Sequence, residues 1–294
     1  MVPEIDSMDD DIKLSPFIIK TADQINISCI EIRSAAAAAH AVIQFHAGTV
    51  IRKEFYFKLA RYLAAEGFIC ILFDYRGVGE SRPQDLKHYP AKVTDWGCFD
   101  ATAITEYIVR MYPTLSIHLF AHSMGGQIIG LMHHWDRFDK ILLIASSSGN
   151  WNNFLPRTRI MSSIAMKTWF PMLGAIYGYV PAWTFLGQDW PLGILKQLSE
   201  CSRQNILMAD YQSSRMEQSY YNDIDTDIEA WFFADDHMAT IKTIPNIQKS
   251  YPQASVTTRL VHPADYDMLT IGHFGLYKSK CQDNLWGEVR DYFL

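Results

Sequence analysis

Ser123 lies in A-H-S-M-G-G, two adjacent carboxylates (Asp235 and Asp236) lie in F-A-D-D-H, and His273 lies in I-G-H-F-G. A serine hydroxyl is a weak nucleophile until a base takes its proton and a carboxylate fixes the base, so these types together suit acyl transfer through a covalent intermediate. Their order along the chain, serine then acid then histidine, is one of the orders in which such a set occurs. Neighbours two positions either side of such a serine must be small, and here they are Ala121 and Gly125, with Gly126 beside them. The backbone N–H of Met124 is the first expected oxyanion donor, supported by a helix beginning after Ser123 whose free amides and positive dipole end face the site. The second should come from the turn after the first central strand, where Gly48 and Thr49 both qualify.

Ten histidines compete for the role of base. His273 follows the final strand between Gly272 and Gly275, in a loop able to approach a serine closely. His262, at a strand end, is second. His122 should point into the structure, and His133 and His134 fall on the helix expected after Ser123. Of the two carboxylates, one should orient the histidine while the other caps the loop or the next helix. Asp265 and Asp267 are later candidates with no strand leading directly into them. No HExxH or similar metal-ligand spacing occurs, and neither a P-loop nor GxGxxG, so no metal and no nucleotide cofactor is expected.

The elements that must hold these residues are legible as an α/β alternation. Strands are expected at Phe17–Lys20, Asn26–Arg33, Ala41–Phe45, Phe68–Phe73, Ser116–Phe120, Ile141–Ala145, Ile228–Phe233 and Thr258–Val261. Phe68–Phe73 (FICILF) is apolar throughout, as a strand covered on both faces must be. Helices are expected at Glu54–Glu66, ended by Gly67, at Trp96–Met111, at Gly126–Trp135 and at Leu285–Leu294. Between about residues 150 and 223 the alternation stops. That stretch is rich in Trp, Tyr, Met, Pro and Gly, and includes Trp151, Trp169, Tyr177, Trp183 and Phe185. It reads as a helical cap inserted in a single domain spanning 1–294. Its apolar side chains could pack the cap onto the body, line an acyl or aromatic pocket, or face a membrane surface or partner.

Composition narrows the partners. The chain has 294 residues, 49% hydrophobic, with a net charge of -6, which disfavours nucleic acid. Five scattered cysteines without a CxxC pair suit a reduced, cytoplasmic protein. The start, MVPEIDSMDDDIKLS, lacks the basic and apolar runs of a secretory signal. No run of about 18 apolar residues is present, and the nearest, Ile164–Val180, is interrupted by Lys167 and Pro171, so no stable membrane insertion is expected. Nothing in the sequence specifies an oligomeric state.

Over nearly its whole length the chain resembles a bacterial group of predicted α/β hydrolases, related to the serine aminopeptidase and monoacylglycerol lipase type. The resemblance is carried by AGTV and the helix with Tyr56, FDYRGVGESRP from Phe73, Trp96 and Asp100, AHSMGGQIIGL, SSGNW from Ser147 to Trp151, YGYVP from Tyr177, FADDHMAT, IGHFG, and Leu285-Trp286. It implies the α/β-hydrolase fold, with a mostly parallel central sheet, helices on both faces and an inserted helical cap. It also implies Asp236 as the acid, because Thr240 aligns with a position often held by proline or a small polar residue four beyond it. Two features depart from the pattern: Ala121 replaces the commoner glycine, and His46-Ala47-Gly48 replaces the usual turn residues. Asp74 and Arg76 are expected to fix their loop rather than to contact substrate. The resemblance implies a hydrolase but no particular substrate; the leading expectation is hydrolysis of a small to medium apolar carboxylic ester or related acyl substrate. A thioesterase, amidase, peptidase or acyltransferase would use the same residues, and a non-catalytic binding protein of this fold is the alternative outside enzymes.

Overall fold

A computed structural model of the chain describes residues 11–36, 38–146, 150–184, 187–205, 207–214 and 218–294. Ser147–Gly149 of the SSGNW motif, Phe185 of the cap stretch and the first ten residues, which carry most of the acidic start, lie outside them. Ten strands are present among the described residues: β1 Ile12–Lys20, β2 Asn26–Ser34, β3 Ala41–His46, β4 Phe68–Phe73, β5 Ser116–His122, β6 Lys140–Ile144, β7 Tyr179–Val180, β8 Trp190–Pro191, β9 Ile228–Phe233 and β10 Val256–Val261. Eight of them form one sheet in the order β1-β2-β4-β3-β5-β6-β9-β10. The β1–β2 and β2–β4 pairs are antiparallel, and from β4 to β10 every pairing is parallel. β7 and β8 form a separate antiparallel pair.

Each apolar run sits where its composition requires. β3 and β4 are buried at every residue, between neighbours on both sides, whereas the edge strand β10 is largely exposed. Gly67 at φ +91° ends the helix Phe57–Ala65, and a Cβ there would stand 2.6 Å from the His40 ring. The expected Trp96–Met111 helix begins earlier, at Val93, and passes through a π-turn at Trp96–Ala101 before continuing as Thr102–Met111. The π-turn carries Asp100, which is buried and bonded to both the amide and the Nε of Arg76, each at 2.8 Å.

The helix expected at Gly126–Trp135 is absent. Short 3₁₀ turns at Ser123–Gly126, Ile129–Leu131 and Trp135–Arg137 stand in its place. The carbonyls that would have accepted helical bonds are taken by other segments. Tyr251 Oη bonds Gly126 O and Tyr221 Oη bonds Gln127 O, both at 2.6 Å, and the Tyr220 amide bonds Gly130 O at 2.6 Å. Gly126 and Gly130 have low helix propensity as well. The residues are glycine for another reason: a Cβ on Gly126 would lie 2.2 Å from Ser146 Oγ, and one on Gly130 would lie 2.3 Å from the Tyr221 ring.

Between β6 and β9 lie the helices Pro156–Ile164, Phe170–Tyr177, Leu192–Gln204 and Met208–Ser213, with a π-turn Ala165–Trp169 joining the first two. No helix among the described residues is long and apolar enough to cross a membrane. None of the five cysteines, all of which lie among the described residues, is in a disulfide.

Candidate active site

β5 ends at His122, and the chain reverses at Ser123, whose φ of +51° is a left-handed conformation that costs a non-glycine residue free energy. The turn is clamped on both sides. Gly125 packs so closely on β3 that a Cβ would sit 2.6 Å from His46 O, and Ser146 Oγ donates to Ser123 O at 3.0 Å. Ala121, the departure from the usual glycine, is fully buried and paired with His46 of β3 and Leu143 of β6, so the methyl fits without opening the turn.

His273 brings its Nε2 to 3.0 Å from Ser123 Oγ and its Nδ1 to 2.7 Å from Asp236 Oδ2. A carboxylate only accepts, so Nδ1 carries the proton and Nε2 accepts from the serine hydroxyl. The second oxygen of Asp236 accepts from the amides of Met238 at 2.7 Å and Ala239 at 3.0 Å. The Asp236 side chain is fully buried and that of His273 is 8% exposed. Asp235, the alternative acid, does not reach the imidazole. Its two oxygens take the amides of Ile271 and Gly272, each at 2.9 Å, and so clamp the loop that presents His273.

The oxyanion turn is corrected at one residue. Gly48 is not free to donate, because its N–H is given to Tyr56 Oη at 2.8 Å. Thr49 is the remaining candidate there, in a turn where the β-branched Val50 is held at φ +55°. With the helix after Ser123 replaced by 3₁₀ turns, Met124 offers a single turn amide without a helix dipole behind it.

The remaining histidines and acids lie elsewhere. His262, Asp265 and Asp267 are exposed near the end of β10. His133 Nδ1 bonds Tyr220 Oη at 2.8 Å, and His134 faces Glu106. His122 is buried beneath the site, as expected, but it has a role that sequence reading missed. It bonds Tyr56 Oη at 2.9 Å through Nδ1 and the His273 carbonyl at 3.1 Å through Nε2. Burial, with His273 adding to it, holds the His122 imidazole well below the usual 6.5, so it stays neutral and can serve both bonds. The available clue was a tyrosine on the buried side of a helix beside a histidine inside the serine turn.

Asp74 and Arg76 have structural partners. Asp74 accepts from the amide of Lys53 at 2.8 Å, from its Nζ at 2.8 Å, and from the Glu80 amide at 2.9 Å. Arg76 bonds Asp100 and, through both terminal nitrogens, Asp23. Glu54, Asp74 and Glu80 are the one group of acids among the described residues close enough to share an ion, and Lys53 Nζ already contacts all three.

The six-stranded parallel run extended by antiparallel β1 and β2, with a serine in a strained turn at the end of a central strand, defines an α/β hydrolase. The family model for serine aminopeptidase, S33, matches residues 37–265, and the chain belongs to that family. No curated protein sequence matches it. Among solved structures it is similar to the esterase Pf2001 of Pyrococcus furiosus, at 14% identity over 96% of this chain and 91% of that one, with a TM-score of 0.62. An esterase from Exiguobacterium antarcticum aligns at 14% identity, 95% and 99% coverage, and TM-score 0.56. A lipase in its open form aligns at 14% identity, 95% and 98% coverage, and TM-score 0.62.

Proposed function

We propose that the chain is a serine hydrolase of small apolar carboxylic esters, with Ser123 as nucleophile, His273 as base and Asp236 as orienting acid. The observation that carries this reading is the unbroken series of hydrogen bonds from Asp236 through His273 to Ser123 Oγ. His273 Nε2 takes the hydroxyl proton as Ser123 Oγ attacks the ester carbonyl. Asp236 stabilises the imidazolium through Nδ1–H, its own charge held in place by the Met238 and Ala239 amides. The oxyanion is met by the amides of Met124 and Thr49. His273 then protonates the departing alkoxide, and water, deprotonated in turn by His273, releases the acid from the acyl-serine. Residues 150–223 serve as a cap over the C-terminal ends of the strands.

Ester substrates are favoured by the likeness to two esterases and a lipase. The family description, serine aminopeptidase, supports an amide as the second reading, with the same three residues and an amine as leaving group. A chain-length series of p-nitrophenyl esters and a set of aminoacyl p-nitroanilides, run side by side, separates them. Turnover of esters that falls by about 10³-fold or more in Ser123→Ala and in His273→Ala is expected. A folded wild type that hydrolyses neither set, and that a fluorophosphonate does not label, would point to the binding-protein alternative.

A further inference from the structure

The helical stretch from Pro156 to Tyr177 buries one side and leaves the other apolar and exposed. Phe170 and Leu173 are buried, and Gly174 comes so near Leu192 that a Cβ would lie 2.4 Å from its Cδ2. On the opposite side Met161, Ile164, Trp169, Met172 and Ile176 are each more than 40% exposed. Their spacing is 3, 5, 3 and 4 residues. The step of five spans the π-turn Ala165–Trp169, where one extra residue per turn keeps the stripe on a single face. Trp183, 66% exposed, extends it by an edge-to-face contact with Trp169 at 6.4 Å between ring centroids. An exposed apolar surface of this extent on a soluble domain marks a contact site.

The charge around the stripe says what the contact is. From Lys140 to Gln188 the sequence has no Asp or Glu, although the chain as a whole carries a net charge of -6. Arg157, Arg159 and Lys167 are exposed on the same helical stretch. Beside it lies a cavity of about 590 Å³ whose lining includes Phe170, Leu192, Lys167, Lys196 and Arg203. The one carboxylate in that lining, Glu200, is bonded by Tyr211 Oη. A second copy of the same face would set cations against cations. An anionic lipid surface matches both features: acyl chains accept Ile, Met and Trp, and headgroups accept Arg and Lys.

We infer that the Pro156–Tyr177 face, with Trp183, docks this protein on an anionic lipid bilayer, lying in the interface without crossing it. The inference does not rest on the hydrolytic reading, since docking needs no turnover. The test is co-sedimentation of the full chain with vesicles of phosphatidylcholine alone and of phosphatidylcholine with phosphatidylglycerol, with and without added salt. Wild type should pellet with the anionic vesicles and far less with the neutral ones, and salt should weaken the binding. Two variants are compared: Ile164→Ser with Met172→Ser and Ile176→Ser, and Arg157→Glu with Arg159→Glu and Lys167→Glu. Each should lose about tenfold or more in partitioning while melting like wild type. Because all six positions are on the surface, the second variant still decides the matter if the first fails to fold. Wild type that stays in the supernatant with both vesicles, or pellets equally with both, overturns the proposal. So does a wild-type dimer by light scattering that either variant splits, which would give the face to a second copy.

Discussion

His122 donates from Nε2 to the backbone carbonyl of His273 across 3.1 Å, so the residue before the serine holds the loop that carries the serine's partner. The same ring accepts from Tyr56 Oη, and Tyr56 accepts from the Gly48 amide. One chain of hydrogen bonds thus links the turn after β3, the serine turn and the histidine loop. Tyr56→Phe breaks it in the middle and leaves the Gly48 N–H and His122 Nδ1 buried without partners. We expect a loss of about 1–3 kcal/mol in stability and a fall in kcat with KM little changed. Denaturant unfolding and steady-state kinetics check both; equal kcat for Tyr56→Phe and wild type would separate this network from the chemistry.

The two carboxylates should fail differently. Asp236→Asn removes the partner of His273 Nδ1 and favours the wrong tautomer, and a loss of about 10⁴-fold in kcat with a normal melting temperature is expected. Asp235→Asn weakens two charge-assisted bonds to the Ile271 and Gly272 amides. It should lower stability by about 1–3 kcal/mol and activity by a smaller factor. If Asp235→Asn were the more damaging to kcat in a folded protein, the acid assignment would be reversed.

Stability should fall in mild acid through two buried imidazoles. His46 donates from Nδ1 to Gly125 O at 3.2 Å and accepts from Gln44 Nε2 at 2.9 Å, and burial pulls it from the usual 6.5 down to about 4. Burial likewise holds His122 well below 6.5. Both groups bind a proton more readily in the unfolded chain than in the folded one, so acid favours unfolding. The stability they contribute is complete above about pH 6.5 and declines toward pH 4, by about 1.4 kcal/mol per pH unit for each group. Urea midpoints between pH 7 and pH 5 measure the slope, and His46→Gln should flatten it.

Gly126 and Ser146 should behave as a coupled pair. A methyl at position 126 would fall 2.2 Å from Ser146 Oγ and 3.0 Å from its Cβ. Gly126→Ala is therefore expected to cost about 1–3 kcal/mol as overpacking, and adding Ser146→Gly should restore part of it. Additive effects in that double-mutant cycle would show that the clash is relieved by movement elsewhere.

The sequence by itself determined the strands of the sheet and most of the helices that cover it, and it singled out Ser123, His273 and the Asp235-Asp236 pair. Apolar strand runs such as Phe68–Phe73 have one stable solution, burial on both faces. The small residues around Ser123 and His273 mark the places where segments approach closely. The resemblance already pointed to Asp236 over Asp235, but which amides and imidazole each of these adjacent carboxylates meets was visible only in the tertiary structure. The loss of the helix after Ser123 was equally hidden: its carbonyls are claimed by Tyr220, Tyr221 and Tyr251, residues about 90 to 125 positions away. Gly48 was excluded in the same way, by a hydroxyl from the next helical turn. Local pattern specifies what each segment can do; which donor meets which acceptor is decided only when distant segments compete for the same buried groups.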